Sequence, residues 1–213
     1  MGTVAHRPYT LGEELSHAIS HGAGLAAILA AAPFLVIAAT GRDAWAIVGA
    51  VIYALSLVLL YTTSTVYHSL RNERAKQLFK RLDHAAIFVL IAGTYTPFAL
   101  GAMRPNWGWT MFALAWGIAT VGVILKLTGR LSHVGLSNAA YLLMGWIAVA
   151  FARPFWEQVP HAGVWWIAAG GLLYTAGVPF YAAKRSRYTH FVWHLFVMGG
   201  TACHFVAVWR YAA

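Results

Sequence analysis

The sequence predicts an all-α polytopic membrane protein, a seven-transmembrane helix bundle whose N-terminus is cytoplasmic. Of its 213 residues, 60% are hydrophobic and only 10% are charged, and the mean hydropathy is +0.63. This composition is too apolar for an ordinary soluble domain of the same length. The apolar residues fall into seven runs, each close to the roughly 20 residues that a helix needs to cross the hydrocarbon core of a bilayer. Helices are required because an open sheet would leave backbone groups unpaired in lipid.

The chain divides into a short N-terminal segment and a transmembrane domain. In residues 1–21, Thr10 and Glu13 form a predicted capping box, which begins a helix that lies on or enters the membrane surface. Residues 22–213 form the transmembrane domain, whose helices are joined by short connections. These helices are predicted at residues 22–40, 45–68, 82–102, 108–126, 135–152, 162–182 and 189–210.

The positions of the basic residues predict the orientation of the bundle. Eleven of the 15 Lys and Arg residues fall on the N-terminal side of the bundle, namely Arg7, Arg71, Arg74, Lys76, Lys80, Arg81, Lys126, Arg130, Lys184, Arg185 and Arg187. The other four fall on the opposite side, namely Arg42, Arg104, Arg153 and Arg210. By the positive-inside rule, the N-terminus is cytoplasmic and the C-terminus lies outside. The basic residues form no continuous patch, so nucleic acid is not an expected partner.

The last predicted helix begins with a pair of histidines, His190 and His194. Residues four apart lie on one face of a helix, so both imidazoles can face one metal ion. The alternative is that they lie at the level of the lipid headgroups, where amphipathic rings are common. A single pair with this spacing does not decide between the two interpretations.

A second cluster is formed by Glu14, His17 and His21 on one face of the N-terminal helix. The preferred interpretation is that they are the polar face of an interfacial helix and are already solvated by water. We therefore expect metal binding to persist when His17 and His21 are replaced.

The alternating direction of the helices brings polar residues from distant parts of the chain to one depth in the membrane. The second helix ends with Ser64 and His68, the third begins with Asp83, and the seventh begins with the histidine pair. Asp83 is the one carboxylate within the seven helices as predicted, and an acid in such a position indicates function by default.

Together these residues predict a catalytic zinc site. Three imidazoles, those of His68, His190 and His194, leave one position open for a water whose pKa the metal lowers to about 7. Asp83 is then placed to act as the general base. Ser64, one helical turn from His68, is placed to orient a ligand or the substrate carbonyl. The predicted reaction is metal-assisted hydrolysis.

Two further histidines are excluded from this site by helical geometry. His84 lies about 100° round the helix from Asp83, so both cannot face one metal. His204 lies roughly 15 Å beyond His194 along the helix axis, which puts it in the outer half of the bundle.

The pattern of these motifs resembles the hemolysin III family, the bacterial branch of the progestin and adipoQ receptor superfamily. The resemblance covers nearly the whole chain. The residues that carry it at the predicted site are Ser64, His68, Asp83, His190 and His194. Elsewhere it is carried by Glu14, Ser20-His21-Gly22, Gly93 to Pro97, and Cys203-His204-Phe205.

The resemblance implies a zinc ion bound by His68, His190 and His194 near the cytoplasmic face, with Asp83 holding the zinc water. In the related adiponectin receptors and alkaline ceramidases, this arrangement goes with hydrolysis of a lipid amide inside the bilayer. It also implies a multi-pass protein of the bacterial inner membrane, with a membrane lipid as its substrate or ligand.

Two other functions stay open. The bacterial branch is named for lysis of red cells, which indicates a membrane-lytic pore, and a receptor or membrane-homeostasis sensor would use the zinc structurally. A pore needs a polar lumen, and the predicted helices carry few polar residues beyond the metal set. The sequence does not identify the substrate or the oligomeric state.

Overall fold

The structure is a computed structural model that describes residues 8–183 and 186–212. In this part of the chain it contains α-helices and one π-helical turn, Arg104–Gly108, with no strand. The α-helices are α1 (Leu11–Thr40), α2 (Ala44–Ser69), α3 (Glu73–Leu100), α4 (Trp109–Leu127), α5 (Val134–Gly145), α6 (Ile147–Ala150), α7 (Ala152–Gln158), α8 (His161–Ala182) and α9 (Thr189–Tyr211). The all-α fold predicted from the sequence is confirmed.

Six helices in the described ranges are long and apolar enough to cross a membrane, and a seventh crossing is formed if α5 to α7 are one broken span. That span bends by 54° between α6 and α7. The bend has a cause in the sequence, because Pro154 has no N–H to donate to the carbonyl of Ala150 and its ring clashes with that carbonyl. The predicted span at residues 135–152 is therefore continued by α7 at an angle.

The first helix is longer than the sequence indicated. The predicted capping box is present, with Thr10 N–H donating to Glu13 Oε2 (2.9 Å) and Glu13 N–H donating to Thr10 Oγ1 (3.3 Å). From this cap α1 runs without a break for 30 residues, so the predicted surface helix and the first span are one element. The division of the chain at residue 21 stays a prediction, and residues 1–7 lie outside the described part.

The third helix begins earlier than predicted, at Glu73 and not at residue 82. Asn72 caps it by accepting a hydrogen bond from Ala75 N–H (3.1 Å). Four basic residues of the predicted connection therefore lie in the first turns of α3, namely Arg74, Lys76, Lys80 and Arg81. The link between α2 and α3 is only three residues long. As a result the two helices form a tight hairpin, which brings Asp83 close to the end of α2.

Helices α2 and α3 are the centre of the bundle. Of the 18-residue apolar stretch in each of these helices, 50% of the residues in α2 and 61% in α3 are buried, whereas in α8 only 17% are buried. Helix α1 packs against both α2 and α9, and α9 also packs against α8. The first and last helices are therefore neighbours. The start of α1, the end of α2, the first half of α3 and the start of α9 meet at one end of the bundle, which is called the histidine end below.

Close packing at the histidine end depends on a small residue in α1. A side-chain carbon at Gly24 would lie 2.5 Å from the ring of Tyr61 in α2, which is too close for any larger residue. The absence of a side chain at Gly24 lets α1 lie close against α2.

The orientation of the bundle in the membrane stays a prediction. Three of the basic residues on which it depends, Arg7, Lys184 and Arg185, lie outside the described residues.

Candidate metal centre

Four imidazoles meet at the histidine end of the bundle. They belong to His17 of α1, His68 of α2, and His190 and His194 of α9. The ligand atoms of His17, His68 and His190 all lie within 4.8 Å of one another, which makes this group capable of holding a metal ion. His194 adjoins the group through His190, since their Nε2 atoms are 3.2 Å apart.

The sequence positions explain this meeting. His190 and His194 are one turn apart and therefore share a face of α9. His68 is in the last turn of α2, and His17 is in the second turn of α1. Since α1 packs against both α2 and α9, its His17 lies between the other three rings.

Hydrogen bonds fix the orientation of His68. Its Nδ1 lies 2.7 Å from Glu14 Oε2, and the other oxygen of the same carboxylate accepts from Lys76 Nζ, also at 2.7 Å. A carboxylate can only accept, so Nδ1 carries the proton and Nε2 keeps its lone pair. Metal-binding histidines in proteins are oriented in this way by a carboxylate on the other ring nitrogen.

Hydrogen bonds fix His194 in the same manner. Ser20 donates its hydroxyl proton to the carbonyl oxygen of His17 (2.9 Å), and its Oγ lies 3.0 Å from His194 Nδ1. Ser20 Oγ must therefore accept from Nδ1–H, which leaves a lone pair on His194 Nε2. That lone pair faces His190.

Several buried imidazole nitrogens have no hydrogen-bond partner within the described ranges. They are both ring nitrogens of His17 and the Nε2 atoms of His21 and His68. Buried polar atoms in native proteins are nearly always paired, and each exception needs an explanation. A metal cation would explain the unpaired nitrogens of His17 and His68, because it accepts a lone pair from an imidazole nitrogen and these two residues belong to the group that could hold a metal. The donors present fit a metal ion that prefers imidazole nitrogen.

Ser64 and Asp83 lie beside the imidazoles. The hydroxyl of Ser64 is 2.7 Å from His21 Nδ1, and the ring of His21 stacks on that of His194 at 3.5 Å. Asp83 is buried next to Ser64. Both residues line the same end of a cavity in the bundle.

This cavity has a volume of about 340 Å³ and runs from the histidine end into the apolar middle of the bundle. Its polar end is formed by His21, Ser64, Asp83, His190 and His194. Its remaining walls come from α3, the broken fifth span, α8 and α9, and are mostly apolar, as with Leu90, Ile91, Leu142, Val178 and Val197. The volume is within the range of small-molecule sites.

The two histidines excluded on the basis of the sequence lie apart from the four-ring cluster. His84 contacts α8 through Tyr181, whose hydroxyl is 3.3 Å from its Nε2. His204 contacts the carbonyl oxygen of Ile167 at 3.0 Å, in the other half of the bundle. Both line the cavity described above, and their exclusion from metal binding stays a prediction.

One expectation about the N-terminal cluster is wrong. His17 and His21 are not solvated, since they are 0% and 3% exposed. The reason is that α1 continues without a break and packs its first turns against α2 and α9. The spacing that places Glu14, His17 and His21 on one face shows that these residues can act together, but it does not show that α9 covers this face. Which imidazoles hold a metal stays a prediction.

Comparison with known proteins identifies relatives over nearly the whole length. A family model described as "Haemolysin-III related" matches residues 9–205. The chain is similar to "Hemolysin-3 homolog" of Bacillus subtilis (strain 168), with 39% identity over 204 residues that cover 95% of this chain and 96% of the relative. It is similar to "Hemolysin-3" of Bacillus cereus, with 38% identity over 200 residues that cover 93% and 91%. A more distant relative is the human "Monocyte to macrophage differentiation factor", 27% identical over 179 residues that cover 79% and 72%.

Proposed function

Since this chain belongs to the Haemolysin-III related family of multi-pass membrane proteins, we propose that it is a zinc-dependent hydrolase that cleaves an amide or ester bond of a membrane lipid. The zinc ligands in this proposal are His68, His190 and His194. Asp83 is the general base, and Ser64 orients the substrate. The inner membrane of a bacterium is the proposed location.

The observation that carries the proposal is the position of the imidazole cluster at the polar end of an apolar cavity. Imidazole donors without thiolate suit zinc better than calcium or magnesium, which prefer oxygen ligands. When bound, zinc supplies a Lewis acid and lowers the pKa of a water at an open position. His68 and His194 support this role because each already keeps its Nε2 lone pair available.

Asp83 is the residue that moves the proton. It lies next to Ser64 at the polar end of the cavity. As the attacking water adds to the substrate carbonyl carbon, Asp83 takes the water proton, and it gives this proton to the leaving amine or alkoxide when the C–N or C–O bond breaks. Ser64 holds the carbonyl group in line by hydrogen bonding, and the stacked ring of His21 fixes the hydroxyl of Ser64 (2.7 Å).

The cavity indicates the kind of substrate. His21, Ser64, Asp83, His190 and His194 are gathered at one end, and the lining as a whole is largely apolar, which suits a molecule with one polar head and a hydrocarbon chain. The lining residues Gly145 and Trp146 of the broken fifth span are exposed. A substrate can therefore enter from the lipid between this span and α8, with its scissile bond beside Asp83.

A second candidate function is membrane lysis. The printed names of the two Bacillus relatives favour it, because both call the relative a hemolysin or its homolog. An aqueous pore needs a polar lumen, however, and the cavity here is lined mostly by apolar side chains. Hydrolysis of membrane lipid also damages membranes, so the first proposal is compatible with these names.

Metal analysis and a hydrolysis assay test the proposal together. We expect purified protein to carry about one zinc per chain and, in liposomes, to release fatty acid from at least one member of a panel of N-acyl and ester lipids. His190→Ala with His194→Ala should lose both properties because it removes two of the three proposed ligands. The control is His133→Asn, which changes an exposed histidine that caps α5 and does not line the cavity; asparagine also caps helices.

The control variant should keep both zinc and activity. Equal zinc in wild type and in the double variant would contradict the proposed ligands. Zinc without hydrolysis of any lipid in the panel would contradict the enzyme, and dye release from intact liposomes would then favour lysis.

A further inference from the structure

We propose that His17 is a fourth imidazole ligand, which occupies the open coordination position of the metal in the resting protein and leaves it when the reacting water binds. The proposal rests on the metal-dependent function proposed above and adds to it a residue from a different helix. His17 comes from α1, whereas the other proposed ligands come from α2 and α9.

The first support is the arrangement of the rings. The centroid of His17 lies 4.7 Å from that of His68, 4.7 Å from that of His190 and 5.4 Å from that of His194. The other three centroid distances in the set are 5.2, 5.3 and 4.7 Å. Six nearly equal distances among four points describe a tetrahedron, and four imidazoles on one tetrahedral zinc would have centroids roughly 5 Å apart.

The second support comes from the ligand atoms. Two nitrogens on one tetrahedral zinc, each at 2.0–2.1 Å from the metal, are about 3.3 Å apart. The Nε2 atoms of His190 and His194 are 3.2 Å apart. The ligand atoms of His17, His68 and His190 are within 4.8 Å of one another, so small rotations of these side chains bring them to the same spacing.

The third support is the contrast between His17 and its neighbours. His68 has Glu14 on its Nδ1, His194 has Ser20, and His21 has Ser64. His17 is 0% exposed, and neither of its ring nitrogens has a hydrogen-bond partner in the described chain. A purely structural role would leave this imidazole as the poorest-satisfied polar group in the cluster. A metal ion at the centre of the four rings pairs one of its nitrogens.

The ring of Tyr9 packs against the same group of imidazoles. It meets the ring of His17 edge-on with the centroids 4.8 Å apart. Its centroid also lies 5.5 Å from that of His190 and 6.3 Å from that of His68. Tyr9 therefore covers the three rings whose nitrogens form the group capable of holding a metal ion.

The inference has a consequence for the bundle. A metal bound by His17, His68 and His190 joins α1, α2 and α9 at one point. The closed set of four nitrogens also favours metals that accept tetrahedral geometry, such as zinc and cobalt(II).

The test counts imidazoles without using enzyme activity. X-ray absorption spectroscopy at the zinc edge of the wild-type protein in detergent should show four imidazole ligands. His17→Asn and His17→Ala should show three, and their affinity for zinc should fall at least about tenfold. His204→Asn is the matched control and should behave as the wild type. Cobalt(II) absorption spectra should report the same change in ligand set.

The outcomes separate this inference from the proposed function. Three imidazoles in wild-type protein, with unchanged affinity in both His17 variants, would overturn the role of His17 and leave the three-histidine site standing. Absence of bound zinc in wild-type protein under loading conditions would overturn both. If neither His17 variant folds, the number of imidazole ligands on zinc in the wild-type protein decides whether His17 is a ligand.

Discussion

The two ends of the bundle differ in the burial of their carboxylate side chains. At the histidine end, Glu13 and Asp83 are buried, and Glu14 is enclosed between His68 and Lys76. At the other end, the pairs Asp43–Arg104 and Arg153–Glu157 lie at the surface.

At the end opposite the histidines, the charged side chains named above form ion pairs with one another, and one nitrogen of Arg104, Nη1, has no hydrogen-bond partner in the described residues. The guanidinium of Arg104 donates a hydrogen bond to Asp43 and so holds the pKa of that carboxyl below its usual value. The side chains of Arg153 and Glu157 are 87% and 54% exposed. Exposed pairs of this kind contribute little to stability, and with Trp45 packed against Trp109 they are typical of a membrane interface.

The histidine end is not completed by its own residues. Its carboxylates have partners, but four ring nitrogens of His17, His21 and His68 have none in the part of the chain that the structure describes. Burying polar groups in a membrane protein is costly, and such groups usually mark function. The contrast indicates that this end is built around a ligand, whereas the other end is built around the lipid headgroups.

The largest effect expected in a test of this contrast comes from the aspartates. Asp83→Asn keeps the size of the side chain and removes its basicity, so the rate of lipid hydrolysis should fall about 10²–10⁴-fold. Zinc content should stay near that of the wild type, because Asp83 is proposed to act on the water and not on the metal. The measurements are fatty-acid release in liposomes and zinc per chain.

The matched variant at the other end is Asp43→Asn, which should leave the rate unchanged. Asparagine caps helices as well as aspartate does, so α2 should still begin at the same place. Equal rates for wild type and Asp83→Asn would contradict the role of Asp83 as the general base. The aspartates at the two ends would then not differ in their effect on the reaction.

Most of the membrane spans, and the end of the bundle at which the candidate site lies, could be predicted from the sequence. Hydropathy and turn residues located the membrane spans to within a few residues, apart from the starts of α1 and α3. The alternating direction of the helices then placed His68, Asp83 and His190 at one end. Both inferences use local patterns, and such patterns are strong in a chain where every span must be apolar.

The burial of His17 could not be predicted from local sequence patterns. Residues 11–21 contain two glutamates and two histidines, and this composition is typical of a helix at a membrane surface. What buries them is the contact of α1 with α9, the first helix with the last. No local pattern records which distant helix will be a neighbour, so the fourth imidazole was assigned to a different cluster.

A smaller effect is expected from Glu14→Gln. The carboxylate of Glu14 accepts from His68 Nδ1 at 2.7 Å and so holds the lone pair of Nε2 toward the other imidazoles. Glutamine can keep one such contact but loses the charge, and loss of a group that orients a metal-binding histidine lowers metal affinity about 10- to 100-fold. Competition with a chromophoric chelator measures this affinity. An unchanged zinc affinity would show that His68 needs no orienting partner, which would weaken the case for it as a ligand.

The smallest effect is expected from Glu157→Gln, the matched change at the other end. Glu157 Oε1 accepts from Arg153 Nε at 2.8 Å, so its hydrogen bond is nearly as short as that of Glu14. The two glutamates differ in their surroundings, because both side chains of the Arg153 pair are largely exposed. Water and ions replace the lost contact of an exposed pair, and neighbours four apart on a helix contribute little. Zinc affinity and the thermal unfolding midpoint in detergent should therefore match those of the wild type within the error of the measurement. If Glu157→Gln lowered zinc affinity as much as Glu14→Gln, the effect of the Glu14 variant could not be attributed to the orientation of His68, and the two ends would have to be coupled through the bundle.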